Sequence, residues 1–180
     1  MSYVDPPTAV SDTIATAADF NILADDIRDL DARADASTYQ GVYLRRTTNQ
    51  SIPNMSWTAI SWSSGAPDLG NWWTSGANIT VPAGAIPSGF TTIVVRVDVL
   101  LNYFANGVGA RQARVLVNGS QIAVHHQSAI TGDTTVVIVW GIAEVAVGDV
   151  ITIEAYQNSG GALSIAPTTV GLVERRGGAS

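Results

Sequence analysis

In 180 residues the chain has no cysteine and no lysine. Without thiols there is no disulfide framework, no thiolate metal site and no cysteine nucleophile, so the composition does not mark an oxidising or a reducing compartment. Charge is sparse too, at 13% of residues, and the pI is near 4.6. Its arginines stand singly or in pairs and make no basic stripe that would neutralise phosphates, so nucleic acid is not an expected partner. No window approaches the roughly 18 uninterrupted apolar residues of a membrane span. The start Met1-Ser2-Tyr3-Val4-Asp5-Pro6-Pro7 has neither a basic n-region nor an apolar h-region. A soluble product without membrane insertion is therefore expected. Motifs that carry chemistry are missing as well: there is no Gly-x-Ser-x-Gly elbow, no His-Glu-x-x-His and no phosphate-cradling glycine loop. The expectation is a non-enzyme with no catalytic residues, no cofactor and no metal.

What is present falls into two parts. Residues 1–36 hold eight of the fifteen acidic residues against Arg28 and Arg33, a net of −6, whereas residues 37–180 hold seven acids against seven arginines, a net of zero. The whole net charge thus belongs to an N-terminal arm, and the remainder has the size of one domain. In the arm, Asp5-Pro6-Pro7 fixes an extended strap, because each proline locks φ and disfavours helix in the residue before it. Thr16, three residues ahead of Asp19, supplies a capping-box-like start. A short α-helix is expected from about Ala17, with Phe20, Leu23, Ile27 and Leu30 on one seam at spacings of three, four and three. Two heptads rich in aspartate are too short to stand alone in water. This seam is expected to serve oligomerisation or docking, with packing on the chain's own β-domain as the alternative.

After Ala36 the period changes from helical to alternating. Gly, Thr, Ser, Val and Ala dominate, the composition of a turn-rich β-domain. Ile93, Val95, Val97, Val99 and Leu101 alternate with Thr92, Val94, Arg96, Asp98 and Leu100, which predicts a long core strand over 90–104. Asn118-Gly119 between two alternating runs predicts a hairpin. Further strands are expected at 41–44, 57–62, 77–81, 134–147, 150–156 and 169–175. Turn chemistry separates all of them and no crossover helix does, which predicts an antiparallel jelly-roll or other Greek-key sandwich over 37–180.

Trp57, Trp62, Trp72 and Trp73 fall within 17 residues of turn-rich sequence. Core packing is the simpler use for Trp57 and Trp62. Adjacent residues on an extended segment point to opposite sides, so the pair Trp72 and Trp73 is expected to place one ring at solvent, a neighbouring subunit or a ligand such as a host-surface glycan. His125 and His126, adjacent on a strand, face opposite ways and cannot together hold one metal within one chain. Either could meet its copies on a symmetry axis, though an ordinary surface or interface role is simpler. A glycosidase would need Asp68, Asp98, Glu144 and Glu154, but Asp98 and Glu154 alternate with apolar residues, where pairing with Arg96 or Arg114 is the simpler use.

Two resemblances follow from these segments. Ile86-Pro87-Ser88-Gly89-Phe90 before a long strand, the Asn118-Gly119 hairpin, Val147-Gly148-Asp149-Val150-Ile151-Thr152-Ile153 and the closing Val170-Gly171-Leu172-Val173-Glu174 resemble the tumour-necrosis-factor-like jelly roll over residues 77–176. That resemblance implies a compact homotrimer. The arm segment Thr13-Ile14-Ala15-Thr16-Ala17-Ala18-Asp19-Phe20-Asn21, with Leu23, Asp26, Ile27, Arg28 and Leu30, resembles a short N-terminal segment of tailed-bacteriophage virion proteins. It implies an anchoring or trimerising arm. Together they imply a virion surface protein, assembled in the host cytoplasm and placed on the capsid or tail. The first expectation is a trimeric capsid decoration protein docked on other virion proteins such as the major capsid protein. A small tail or head-fibre protein binding host carbohydrate through its Trp-rich loop is the alternative.

Overall fold

The chain divides into two units, Met1–Ser37 and Thr38–Ser180, and the computed structural model describes residues 40–179. The strap and the helix expected to carry Phe20, Leu23, Ile27 and Leu30 lie outside the described residues.

Twelve strands among the described residues form two antiparallel sheets. The first contains β1 (Gly41–Arg45), β2 (Gln50–Ile52), β4 (Ser64–Leu69), β6 (Thr92–Tyr103), β9 (Thr135–Ala146), β11 (Leu163–Ile165) and β12 (Val170–Ala179). The second contains β3 (Thr58–Ala59), β5 (Ile79–Thr80), β7 (Ala110–Val117), β8 (Ser120–Ser128) and β10 (Val150–Gln157). β6 is the spine of the first sheet. It pairs with β9 from Thr92↔Ala146 to Tyr103↔Thr135 on one side, and with β12 from Leu100↔Val170 towards Thr92↔Ala179 on the other. β1 extends the sheet from β12, and β4 from β1.

The core lies between the sheets. Ile93, Val95, Val97, Val99 and Leu101 of β6 meet Val115 of β7 and Ile151 and Ile153 of β10 in one buried cluster. Alternation within each strand decides this, since a period of two delivers every second residue to the same side. Ile60 and Trp62, not Trp57, are the inward residues of the 57–62 segment. Trp57 lies instead on the outer side of the second sheet under the Arg114 guanidinium, which is 4.2 Å from its ring centroid.

The predicted hairpin is present. Asn118 (φ 49°) and Gly119 (φ 78°) both take the left-handed conformation that a tight two-residue turn requires. The Asn118 amide donates to Asp149 Oδ1 (2.7 Å), and the Asp149 carboxylate accepts from the Ala146 amide at 2.7 Å. These two hydrogen bonds, the backbone one foremost, hold the Asp149 carboxyl below its ordinary range.

One charged residue sits at the end of the core. Arg111 of β7 is fully buried, and its guanidinium donates to the carbonyls of Asn106 (2.7 Å), Val108 (3.0 Å) and Ala110 (3.0 Å). It lies beside the ring of Tyr103, whose hydroxyl donates to the Gln112 carbonyl at 2.8 Å. Burial lowers the Arg111 pKa and raises that of Tyr103. The arginine therefore pins the 104–110 connection by its own acceptors. Arg111→Met is expected to cost about 3 kcal/mol in urea unfolding, because three backbone carbonyls lose a charged donor that ties them to the core. An unchanged midpoint would remove Arg111 from this role.

Candidate functional site: an outward apolar face

An antiparallel sheet packed on one side ordinarily turns polar residues to water on the other. Part of the first sheet does not. Along β9, Val137, Val139 and Val145 point into the core, while Val136, Ile138, Trp140 and Ile142 point out. Ile138 and Ile142 are each 56% exposed and Trp140 is 62% exposed. β9 is thus apolar on both sides, as a strand is when both of its faces are destined for burial.

Register carries the apolar surface across the sheet. Ile138 stands opposite Leu100, which stands opposite Val170, and Trp140 stands opposite Asp98, which stands opposite Leu172, itself paired with Tyr43. Tyr43, Leu100, Ile138, Val170 and Leu172 line a shallow hollow of about 160 Å³. Val124, His125, Ile138, Val139 and Trp140 line a second hollow of about 250 Å³, where the edges of β8 and β9 meet.

Charges on this face are used within the sheet. Arg96 Nε is 2.7 Å from Asp98 Oδ2, and Glu174 pairs with Arg176. The Asp98 hydrogen bond and charge raise the Arg96 pKa, with Glu174 adding a smaller push. Arg114 donates to Glu154 at 2.7 Å across β7 and β10, which is the pairing expected from the sequence.

Of the tryptophans, Trp72 is 1% exposed and belongs to the core. The expectation that it serves as a ligand or interface aromatic is corrected. Asp68 accepts from the backbone amides of both Trp72 (2.8 Å) and Trp73 (3.1 Å), which fixes the turn so that the first ring swings inward. Trp73 is half-buried, packs on the core and donates its ring N–H to the Gly76 carbonyl at 3.2 Å. Trp62 is buried as well. His125 pairs in register with buried Ala113 and His126 with Gln112, so the two imidazoles do leave opposite sides of β8. Among the described residues no group of three or more histidines and acids is placed to hold a metal. Asp68, Asp98, Glu144 and Glu154 sit on four different strands and each accepts a hydrogen bond from a neighbour.

Trp140, the most exposed apolar ring among the described residues, was not distinguished by sequence reasoning. Its signal was available: Val136-Val137-Ile138-Val139-Trp140 is apolar at both parities, unlike the alternating strands around it.

The architecture defines a tumour-necrosis-factor-like antiparallel jelly roll. Among solved structures it resembles murine APRIL, in crystal structures at pH 5.0 (14% identity, TM-score 0.56) and pH 8.0 (15% identity, TM-score 0.57). Each match covers 77% of this chain and 100% of that one. The Eiger TNF of S. frugiperda is similar at 11% identity and TM-score 0.49, over 79% of this chain and 95% of that one. No protein-family model and no curated protein sequence matches the chain.

Proposed function

We propose that this chain is a non-catalytic, self-associating structural protein whose copies meet through the outward face of the first sheet. The observation that carries the reading is the exposed stripe Ile138, Trp140 and Ile142 on a sandwich that already has a complete core. Contiguous exposed apolar surface of this kind marks an interaction site, and large aromatic rings at its centre supply most of the binding energy in such contacts. A closed ring of three is the assembly we assign, as the likeness to the tumour-necrosis-factor-like jelly roll implies, with the projecting Trp140 and the hollow at Tyr43, Leu100 and Leu172 as the two sides of the contact. A projection on one copy meeting a recess on the next closes when the rotation between copies closes.

We further assign the assembly to the surface of a tailed-phage particle, with residues 1–36 as its attachment to other virion proteins. The arm's resemblance to phage virion segments and its separate charge support this placement. Capsid decoration is the first choice within it. Molar mass by light scattering on a sizing column tests the reading: full-length protein and residues 37–180 should both give three times the chain mass. A single-chain mass for both overturns the assembly. Removing residues 1–36 should abolish attachment to the particle, and full occupancy by the truncated protein would overturn the docking role.

A further inference from the structure

One arginine at the rim of the outward face is not used within the sheet. Arg45 closes β1, and its guanidinium lies 5.5 Å from the Tyr43 ring centroid, with no hydrogen bond or ion pair to any described residue. It lines a hollow of about 470 Å³ together with Arg46, Thr47, Pro167, Thr168 and Val170. That is the size range of small-molecule sites. The walls are the connections 46–49 and 166–169, and backbone hydrogen bonds fasten one to the other. The Arg46 amide donates to the Thr169 carbonyl (3.1 Å), and the Thr169 amide donates to the Ala166 carbonyl (3.1 Å). The buried Thr169 hydroxyl accepts from the Asn102 amide at 3.2 Å, which ties the second wall to β6. A hollow held in this way is formed before a ligand arrives, so little ordering cost falls on binding.

The charge in the hollow is positive and unbalanced. Arg46 is 6% exposed, and every acceptor of its guanidinium is neutral: the Thr48 carbonyl (3.1 Å) and hydroxyl (3.4 Å), the Asn49 carbonyl (3.3 Å) and the Gln50 side-chain oxygen (2.8 Å). Among the described residues no carboxylate lines the hollow. The acids on β6 and β12, Asp98 and Glu174, are paired with Arg96 and Arg176. Arg46 therefore supplies field while its donors are spent, and Arg45 supplies an open fork. Thr168 accepts from the Asn102 side-chain amide at 2.8 Å and so keeps its own hydroxyl hydrogen to donate.

We propose that this hollow binds a small hydroxy-carboxylate of the sugar-acid class, with the carboxylate on the Arg45 fork and hydroxyls on Thr47 and Thr168. A guanidinium meets a carboxylate through two parallel N–H···O bonds, so one open fork matches one planar anion. A phosphate group, nearly doubly charged and with three strong acceptor oxygens, asks for more donors than Arg45 alone offers. Pro167 and Val170 give the C–H surface of a sugar ring an apolar wall. The inference rests on the geometry of a single chain and is independent of how copies assemble.

The test is titration of the full-length protein with glucuronate, glucose and inorganic phosphate, followed by NMR of the arginine side-chain N–H signals, on the unaltered chain, Arg45→Gln and Arg176→Gln. Both arginines lie at the surface, and circular dichroism checks that the variants keep the β-fold. Glucuronate is expected to saturate the unaltered chain with a Kd of about 1 mM, weakened at least about tenfold in Arg45→Gln and unchanged in Arg176→Gln. Glucose and phosphate should each bind at least about tenfold more weakly than glucuronate. Failure of glucuronate to saturate the unaltered chain overturns the site. Equal affinity in Arg45→Gln overturns it by placing the ligand elsewhere, and equal loss in Arg176→Gln overturns it by reducing the effect to general charge attraction. Phosphate or glucose binding as tightly as glucuronate overturns the ligand class.

Discussion

Trp140→Asp is expected to convert the assembled protein into a folded single chain. The ring is 62% exposed before association, so its loss should change the chain's own stability by no more than about 0.5 kcal/mol. At an interface the same change removes a large aromatic contact and introduces a carboxylate that must be desolvated, a combined penalty of at least about 4 kcal/mol, or about a thousandfold in affinity. Sedimentation or light scattering reads the mass, and circular dichroism checks that the β-fold persists. Val147→Asp is the matched control. Val147 is 53% exposed but follows β9 in a turn, so this variant should assemble as the unaltered chain does. Retained assembly in Trp140→Asp, or equal loss in Val147→Asp, would rule out the outward face as the contact.

The neighbouring tryptophans separate stability from surface. Trp72→Ala should cost about 3–5 kcal/mol in urea unfolding, the usual result of emptying a well-packed aromatic site. Trp73→Ala, which removes a half-buried ring and one hydrogen bond to Gly76, should cost about 1–2 kcal/mol. Equal effects would contradict the asymmetry seen at this turn. A glycan platform would have to rest on Trp73, since the Trp72 ring offers solvent almost nothing.

The parts of this fold that were legible in the sequence are those where local pattern and tertiary use agree. The β6 alternation named every inward residue from Ile93 to Leu101, and Asn118-Gly119 located its hairpin, because a period of two and a positive φ are local requirements. The short strands β2, β4 and β11 were not legible. Ser64-Gly65-Ala66-Pro67-Asp68-Leu69 and Gln50-Ser51-Ile52 carry turn-like composition, and they are strands because β1 and β11 offer them partners. The Trp72-Trp73 pair was legible halfway: opposite orientations follow from an extended backbone, but which ring turns inward is set by the Asp68 carboxylate holding both amides. At the candidate site the β6 alternation describes the core, whereas the surface was written in β9, where Val136 to Trp140 is apolar at both parities. The apolar outer residues of β1 and β12 are separated from it by more than twenty positions in either direction, and sheet register alone brings them into one face.

The start of the described domain has a consequence for attachment. Gln40 accepts a backbone hydrogen bond from Arg175, and Gly41 stands opposite Glu174, so the chain enters the domain at a fixed point beside β12. In any ring generated by rotation these entry points occupy one level and face one way. Every arm would then begin on the same side, and contacts too weak to hold one copy would reinforce each other. Once one arm is seated, the others search a small volume at high effective concentration, and residence on a repeating lattice lengthens without any tighter individual contact. Such a protein is held by avidity: it would leave a particle slowly as an assembly and quickly as separated chains.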